Sequence, residues 1–166
     1  MKLTVVAATG GVGRHVLEQA VDAGHDVTAI VRNPAGLTRP VRTEVADLAA
    51  PDAAALESAV AGVGLTKDAG AGIFIRYVVT PLSNRFMGRH YADVALMEDL
   101  LRGSGLEWTA VGLPLLTDKP PTGRYRTAYG QSVRRGLRIS RADAAGFLLH
   151  AVDQPVTFGQ TVAVAY

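Results

Sequence analysis

Apolar residues at the start of the chain form two short continuous runs separated by a run with helical spacing. Residues 2–8 are mainly apolar and are followed by glycines at positions 10, 11 and 13. An apolar stripe then recurs at intervals of three or four, and its members are Val12, Val16, Leu17, Ala20 and Val21. Gly24 is placed to end this helix, and residues 27–31 are nearly all apolar or β-branched, as in a parallel strand covered on both faces. The pattern predicts strand, glycine-rich turn, helix and strand.

The same periodicities predict elements along the rest of the chain. They are strands at 41–45, 108–111 and 161–165, helices that begin near Pro51 and Arg85 and end at Gly62 and Gly103, and an edge hairpin of 125–129 with 137–139. Ser140 and Asp143 form an S-x-x-D capping box for a last helix, which contains Phe147 and ends before Pro155. Alternating strands and helices predict an α/β fold, a doubly wound parallel sheet of Rossmann-like type in a single domain spanning residues 1–166.

Residues 73–80 do not follow one pattern. Their β-branched and aromatic side chains favour a strand that Pro81 closes. Ile73, Tyr77 and Pro81 also stand four residues apart, which is a helical interval. Periodicity leaves both interpretations open.

Composition restricts the class of protein. The 166 residues are 48% hydrophobic and 19% charged, which suits one soluble globular domain. No apolar segment approaches membrane-spanning length, and the chain starts with a core strand, so we expect a cytoplasmic protein with no membrane partner. The sequence has no cysteine, which excludes disulfides, thiolate metal ligands and a cysteine nucleophile.

Charge argues against a nucleic-acid partner. The formal net charge is only +2, and the nearest basic cluster consists of Arg124, Arg126, Arg134, Arg135 and Arg138. A solvated hairpin explains this cluster more simply than a nucleic-acid site does.

The glycine-rich turn carries the first candidate chemistry. Glycines between a buried strand and a helix let backbone N–H groups approach a pyrophosphate, and the helix N-terminus favours the same anion. An ordinary turn of an α/β domain is the alternative. Arg32 ends the second strand where an NAD-selective unit usually has an acidic residue, and an arginine there suits the 2′-phosphate of NADP(H). Arg14 either reaches the same phosphate from the first helical turn or is a surface residue beside it.

Two further pairs of residues follow predicted strands, on the side where a doubly wound sheet binds its ligand. Asp47 and Leu48 come after the third strand and are placed to border an adenine. An N-cap role for Asp47 in the helix near Pro51 is the alternative. Leu115 and Leu116 come after the strand at 108–111.

Several separated motifs resemble the NAD(P)H-binding family of atypical short-chain dehydrogenases, which contains NmrA-like proteins and the biliverdin reductase B/flavin reductase type. The sequence A-A-T-G-G-V-G at residues 7–13 is similar to its G-A-T-G-x-x-G turn, and V-R at 31–32 to its NADP-selecting pair. Residues 97–106 resemble M-x-x-x-L-R-x-S-G-L, residues 116–123 resemble x-x-D-x-P-x-T-G, and residues 139–143 resemble I-S-x-x-D. The resemblance covers most of the chain.

The resemblance implies a role for each matching residue. It places the turn of Ala7, Thr9, Gly10, Gly11, Val12 and Gly13 around the pyrophosphate, Arg32, Ala35 and Gly36 at the 2′-phosphate, Asp47 and Leu48 at the adenine, and Leu115 and Leu116 beside the nicotinamide.

The chain also departs from the family. Ala7 replaces the first turn glycine, and we expect it to keep a negative φ. Val94 and Leu115 stand where the biliverdin/flavin reductase has two histidines, which argues against bilin reduction. Between Gly62 and Gly72 the chain lacks a strand, helix and strand of its relatives. The sheet then closes differently, residues 73–80 serve as a strand, or the sequence omits a segment; the resemblance itself implies a helix at 73–79.

Three functions remain open on these grounds. The first is an NADPH-dependent reductase that acts on a small conjugated acceptor such as a flavin, quinone or enone. It needs no acid–base residue, in keeping with the absence of a Y-x-x-x-K pair, and we name no catalytic side chain. The second is a non-catalytic sensor of NADP(H), as NmrA-like relatives suggest. The third is a shortened structural paralogue that completes its sheet as a homodimer.

Overall fold

The computed structural model describes residues 1–46 and 98–166. The chain forms two compact units, the first with described residues in 1–46, 117–123 and 140–150, the second in 98–116, 124–139 and 151–166. The predictions for Asp47, for Leu48, for the helix near Pro51 and for residues 73–80 lie outside the described residues. The single domain also stays a prediction.

The first unit begins with the predicted strand, turn, helix and strand. In chain order it contains β1 (Lys2–Val6), α1 (Gly13–Asp22), β2 (Asp26–Val31), a 3-10 turn (Pro34–Gly36) and β3 (Arg42–Val45). β2 lies between β1 and β3 and is parallel to both, with Val6 opposite Ile30 and Val31 opposite Val45. The parallel βαβ unit is thereby confirmed.

Burial of the α1 stripe explains why this unit folds. Leu17 and Ala20 are fully buried and pack with Val5, Val27 and Ala29 of the two neighbouring strands. Burial of this stripe against the two strands stabilises the βαβ unit.

Gly24 ends α1 with a Schellman motif. Its φ is +77°, its N–H donates to the Val21 carbonyl at 2.9 Å, and the His25 N–H donates to the Ala20 carbonyl at 3.0 Å. Glycine is favoured at this position because the left-handed conformation crowds a Cβ atom. The helix therefore ends where the sequence predicts.

The remaining elements lie in residues 98–166. Residues 98–103 are helical, and the others are β4 (Thr109–Gly112), β5 (Leu115–Thr117), β6 (Arg126–Tyr129), β7 (Arg138–Ser140), α2 (Arg141–Ala151), a 3-10 turn (Pro155–Thr157) and β8 (Gln160–Ala165). β8 lies between β4, which is parallel, and β6, which is antiparallel, while β5 pairs with β7. In the described ranges, no helix is long and apolar enough to cross a membrane.

The predicted edge hairpin is wrong, although both of its strands exist. β6 pairs with β8, where Ala128 lies opposite Ala163, and β7 pairs with β5 instead of β6. Propensity records how well a residue fits a pleated surface, but it does not specify the partner strand. Here β8 supplies the partner, and its Val162 and Val164 are fully buried.

Candidate functional site

The glycine-rich turn begins at the carboxyl end of β1 and folds back on itself. The Ala7 N–H donates to the Ile30 carbonyl of β2 at 3.0 Å, and the Gly10 N–H donates to the Ala7 carbonyl at 2.8 Å. Ala7 has a φ of +54°, so the expected negative φ is wrong. The chain reverses at this residue, and the alanine adopts the left-handed conformation that a glycine would take without steric cost.

Close backbone contacts explain why residues 10 and 13 of the turn are glycines. A Cβ atom built on Gly13 would lie 2.3 Å from the Ala7 carbonyl oxygen, and one on Gly10 would lie 3.1 Å from the same oxygen. The first turn of α1 therefore packs directly against the end of β1. Dinucleotide-binding turns require such a close approach, because a pyrophosphate binds to the backbone N–H groups at the helix N-terminus.

The loop after β2 lies against the same turn. A Cβ atom on Gly36 would lie 3.1 Å from Cγ2 of Thr9, which brings the 3-10 turn beside the glycine-rich turn. Asn33 fixes this loop, since its Oδ1 accepts from the Ala35 N–H at 2.9 Å. Arg32 follows β2 directly and is exposed, as is Arg14 in the first turn of α1.

In the part of the chain that the structure describes, no contact joins two of the predicted pairs of site residues to the glycine-rich turn. Asp47 and Leu48 lie outside the described residues. Leu115 and Leu116 belong to β5 and to the second unit, and Leu115 is exposed. Their places at the adenine and the nicotinamide stay predictions.

Sequence reasoning missed an arginine that lies over the turn. Arg141 is the first residue of α2, and a Cβ atom on Gly11 would lie 2.8 Å from its Nε. Its Nη1 donates to Oδ1 of Asp118 at 2.6 Å. Arg141 occupies an unspecified position of the I-S-x-x-D motif. Asp118 is a specified residue of the x-x-D-x-P-x-T-G motif, but it is far from the turn in sequence. No local pattern links either residue to Gly11.

A buried carboxylate anchors the segment that contains Asp118. Asp143 is 3% exposed and accepts from the Thr122 N–H at 2.9 Å, the Thr122 hydroxyl at 3.0 Å and the Gly123 N–H at 2.9 Å. Its own N–H donates to Oγ of Ser140 at 3.0 Å. The capping interaction predicted from S-x-x-D is confirmed, and the same carboxylate also holds the 117–123 loop against the start of α2.

The side chain of Gln19 connects α1 to α2. Gln19 donates from Nε2 to the Ala142 carbonyl at 2.9 Å. A Cβ atom on Gly146 would lie 3.3 Å from Oε1 of the same glutamine. The small residue at position 146 therefore lets the two helices approach closely.

Comparison with solved structures identifies the fold. The chain is similar to the anaerobilin reductase ChuY from Escherichia coli O157:H7, with a TM-score of 0.73, 19% identity and coverage of 99% and 97% of the two chains. It is similar to a protein from Streptococcus pneumoniae provisionally named an NADH-flavin reductase, with a TM-score of 0.71, 21% identity and 99% of each chain covered. A Rossmann-fold NAD(P)-binding family protein from Shigella flexneri gives a TM-score of 0.65, 20% identity and coverage of 98% and 92%. The Rossmann-like α/β fold is thereby shown.

A family model identifies the relationship at the level of sequence. The model described as NAD(P)H-binding matches residues 7–65 and 66–155. The two matched segments meet between residues 65 and 66. Because the match includes the glycine-rich turn and extends over most of the chain, the protein belongs to the NAD(P)H-binding family, and its cofactor is of the NADP(H) class.

Proposed function

We propose that the protein is an NADPH-dependent reductase that transfers hydride to a small conjugated acceptor such as a flavin, quinone or enone. The observation that carries the proposal is the closely packed glycine-rich turn with Arg32 at the end of the adjacent strand. An oxidoreductase of the NAD(P)H-binding family with this pair of features has a site for the pyrophosphate and one for the 2′-phosphate.

The turn and the neighbouring loop hold the cofactor in this proposal. The turn of residues 9–13 binds the pyrophosphate through its backbone N–H groups other than that of Gly10, which donates to the Ala7 carbonyl. Arg32, aided by Arg14, binds the 2′-phosphate through charge-assisted hydrogen bonds. The backbone at Ala35 and Gly36 borders the same phosphate, because the Gly36 contact with Thr9 places that loop beside the turn. Asp47 and Leu48 border the adenine, and Leu115 and Leu116 border the nicotinamide.

Hydride transfer from the cofactor requires no acid–base side chain of the protein. The bound cofactor supplies the hydride, so the protein has to orient the nicotinamide against the acceptor and keep water away. Leu115 and Leu116 offer an apolar surface for this purpose. The names of two similar structures, an NADH-flavin reductase and an anaerobilin reductase, support an acceptor with a conjugated ring system. A cytoplasmic location belongs to the same proposal, because such a reductase draws on the cell's pool of reduced cofactor.

An acceptor screen tests the reductase directly. The purified protein is mixed with NADPH and, in separate reactions, with flavin mononucleotide, menadione or a cyclic enone, and the loss of the reduced-nicotinamide absorbance is followed. We expect oxidation of NADPH that depends on both the protein and the acceptor. Binding of NADPH without oxidation by any acceptor would contradict the reductase and support a sensor of NADP(H).

The shortened sheet is tested separately. An intact mass that agrees with the 166-residue chain would show that no core segment is missing from the sequence. Sedimentation of the same sample then measures whether a homodimer forms, which is the expected cover for an open sheet edge.

A further inference from the structure

Arg141 lies across the glycine-rich turn and is separated from it by more than a hundred residues of sequence. A Cβ atom on Gly11 would lie 2.8 Å from Nε and 3.2 Å from Cδ of this arginine. Any larger residue at position 11 would displace the guanidinium. The glycine there makes room for Arg141, unlike Gly13, which makes room for the backbone of Ala7.

An ion pair with Asp118 holds Arg141 in this position. Its Nη1 donates to Asp118 at 2.6 Å, and the side chain of Asp118 is 81% exposed, whereas that of Arg141 is 27% exposed. The loop of Asp118 is itself fixed, because Thr122 and Gly123 donate to the buried carboxylate of Asp143. The arginine is therefore oriented before any ligand binds, and binding costs less side-chain entropy than it would for a free arginine.

The chemistry of this position suits a diphosphate. A guanidinium has five N–H donors, of which the bond to Asp118 uses one, and its charge is permanent. The turn beneath it presents backbone N–H groups and the positive end of α1. Anionic oxygens bound at the turn would meet Arg141 at Gly11, where charge-assisted hydrogen bonds are strong.

We propose that Arg141, oriented by Asp118, binds the pyrophosphate of the cofactor over Gly11. This inference rests on the proposed function, since it requires the cofactor to bind at the glycine-rich turn. It assigns to Arg141 a role that differs from that of Arg32. Arg141 acts on the pyrophosphate that NADPH and NADH share, whereas Arg32 acts on the 2′-phosphate that only NADPH has.

The decisive variant is Arg141→Met, which keeps an unbranched side chain over Gly11 and removes the guanidinium. Arg39→Met is the matched control, because Arg39 also forms a 2.6 Å ion pair with an aspartate in the same unit, at the far end of α1. Dissociation constants for NADPH, NADH and ADP-ribose are measured by calorimetry. We expect Arg141→Met to weaken all three by about tenfold, the loss of one charge-assisted contact, and Arg39→Met to weaken none.

Two further measurements separate phosphate binding from a structural role. The melting temperature without ligand should be similar for Arg141→Met and Arg39→Met, and the dependence of NADPH affinity on salt concentration should become shallower only in the former. Arg141→Lys keeps the charge without the planar fork and should recover part of the affinity. Should Arg141→Met fail to fold, Arg141→Lys and Asp118→Asn decide the matter, and unchanged affinity for ADP-ribose in both would overturn the proposal.

The outcomes also distinguish this inference from the function on which it rests. If the wild-type protein binds NADPH and ADP-ribose and Arg141→Met binds both equally well, only the role of Arg141 is refuted. If the wild-type protein binds none of the three ligands, the proposed function fails and the role of Arg141 fails with it.

Discussion

The polar groups at the strand ends of the first unit differ from the polar groups inside the second unit. In the first unit, Thr9, Gly10 and Arg32 are exposed at the carboxyl ends of parallel strands. Inside the second unit, by contrast, several polar side chains bind one another: Glu98, which is 6% exposed, accepts from Thr161 at 3.0 Å, and the hydroxyls of Thr109 and Thr157 are 2.9 Å apart. Groups that are satisfied internally stabilise a fold, whereas exposed donors at strand ends are available to a ligand.

The largest expected losses of stability come from truncating a buried side chain in each unit. The same variants test whether the two units unfold together. Leu17→Ala in the first unit should lower the free energy of unfolding by about 3–4 kcal/mol, and Val162→Ala in the second by about 2 kcal/mol, because both side chains are fully buried. Thermal and urea unfolding measure both. We expect each variant to shift one common transition, as in a single domain. Two transitions that respond separately to the two variants would show that the units are independent.

The next effect concerns the carboxylate that anchors the 117–123 loop. Asp143→Ala should lower the free energy of unfolding by about 1.5–3 kcal/mol, because it removes the buried carboxylate that accepts from the Thr122 and Gly123 N–H groups. Asp99→Ala is the control, since Asp99 forms an exposed ion pair with Arg102 and should cost less than about 0.5 kcal/mol. Urea unfolding measures both, and equal losses would argue against the anchoring role of Asp143.

The third prediction concerns the affinity for NADPH and the exposed Arg32 of the first unit. Arg32→Ala should weaken NADPH by about 10- to 100-fold, which corresponds to about 1.4–2.7 kcal/mol, and leave NADH unchanged. Arg138→Ala removes an exposed arginine from the second unit and should change neither affinity. Quenching of intrinsic fluorescence measures both ligands. An equal loss for NADH would remove Arg32 from the 2′-phosphate.

The smallest effect is a gain of stability at the turn. Ala7→Gly should raise the free energy of unfolding by about 0.5–1 kcal/mol, because Ala7 has a φ of +54° and glycine adopts that conformation without steric cost. Ala23→Gly is the control, since Ala23 has a φ of −79° and glycine there should cost about 0.5 kcal/mol. A loss of stability in both variants would contradict this account of Ala7.

Local patterns in the sequence predict the strands and the helix at the start of the first unit well, but they predict poorly which strands pair in the second unit. The helical spacing of Leu17 and Ala20 and the position of Gly24 predict α1 because they depend on neighbours in sequence. The partner of β6 and the position of Arg141 over Gly11 depend on contacts between distant residues, which periodicity does not encode. The conformation of Ala7 was missed because residue type suggests a preferred φ, whereas the Ala7 and Gly10 hydrogen bonds in the turn determine the actual one.

The discontinuity of the first unit in sequence has a consequence for the order of folding during synthesis. Its strands come from residues 1–46, but residues 117–123 and 140–150 complete it. Leu149 packs against the core of Leu17 and Ala20, and Gln19 of α1 donates to Ala142. A nascent chain that has emerged only to residue 116 lacks all of these partners. The half of the protein that is made first is therefore completed only when the ribosome has nearly finished the chain.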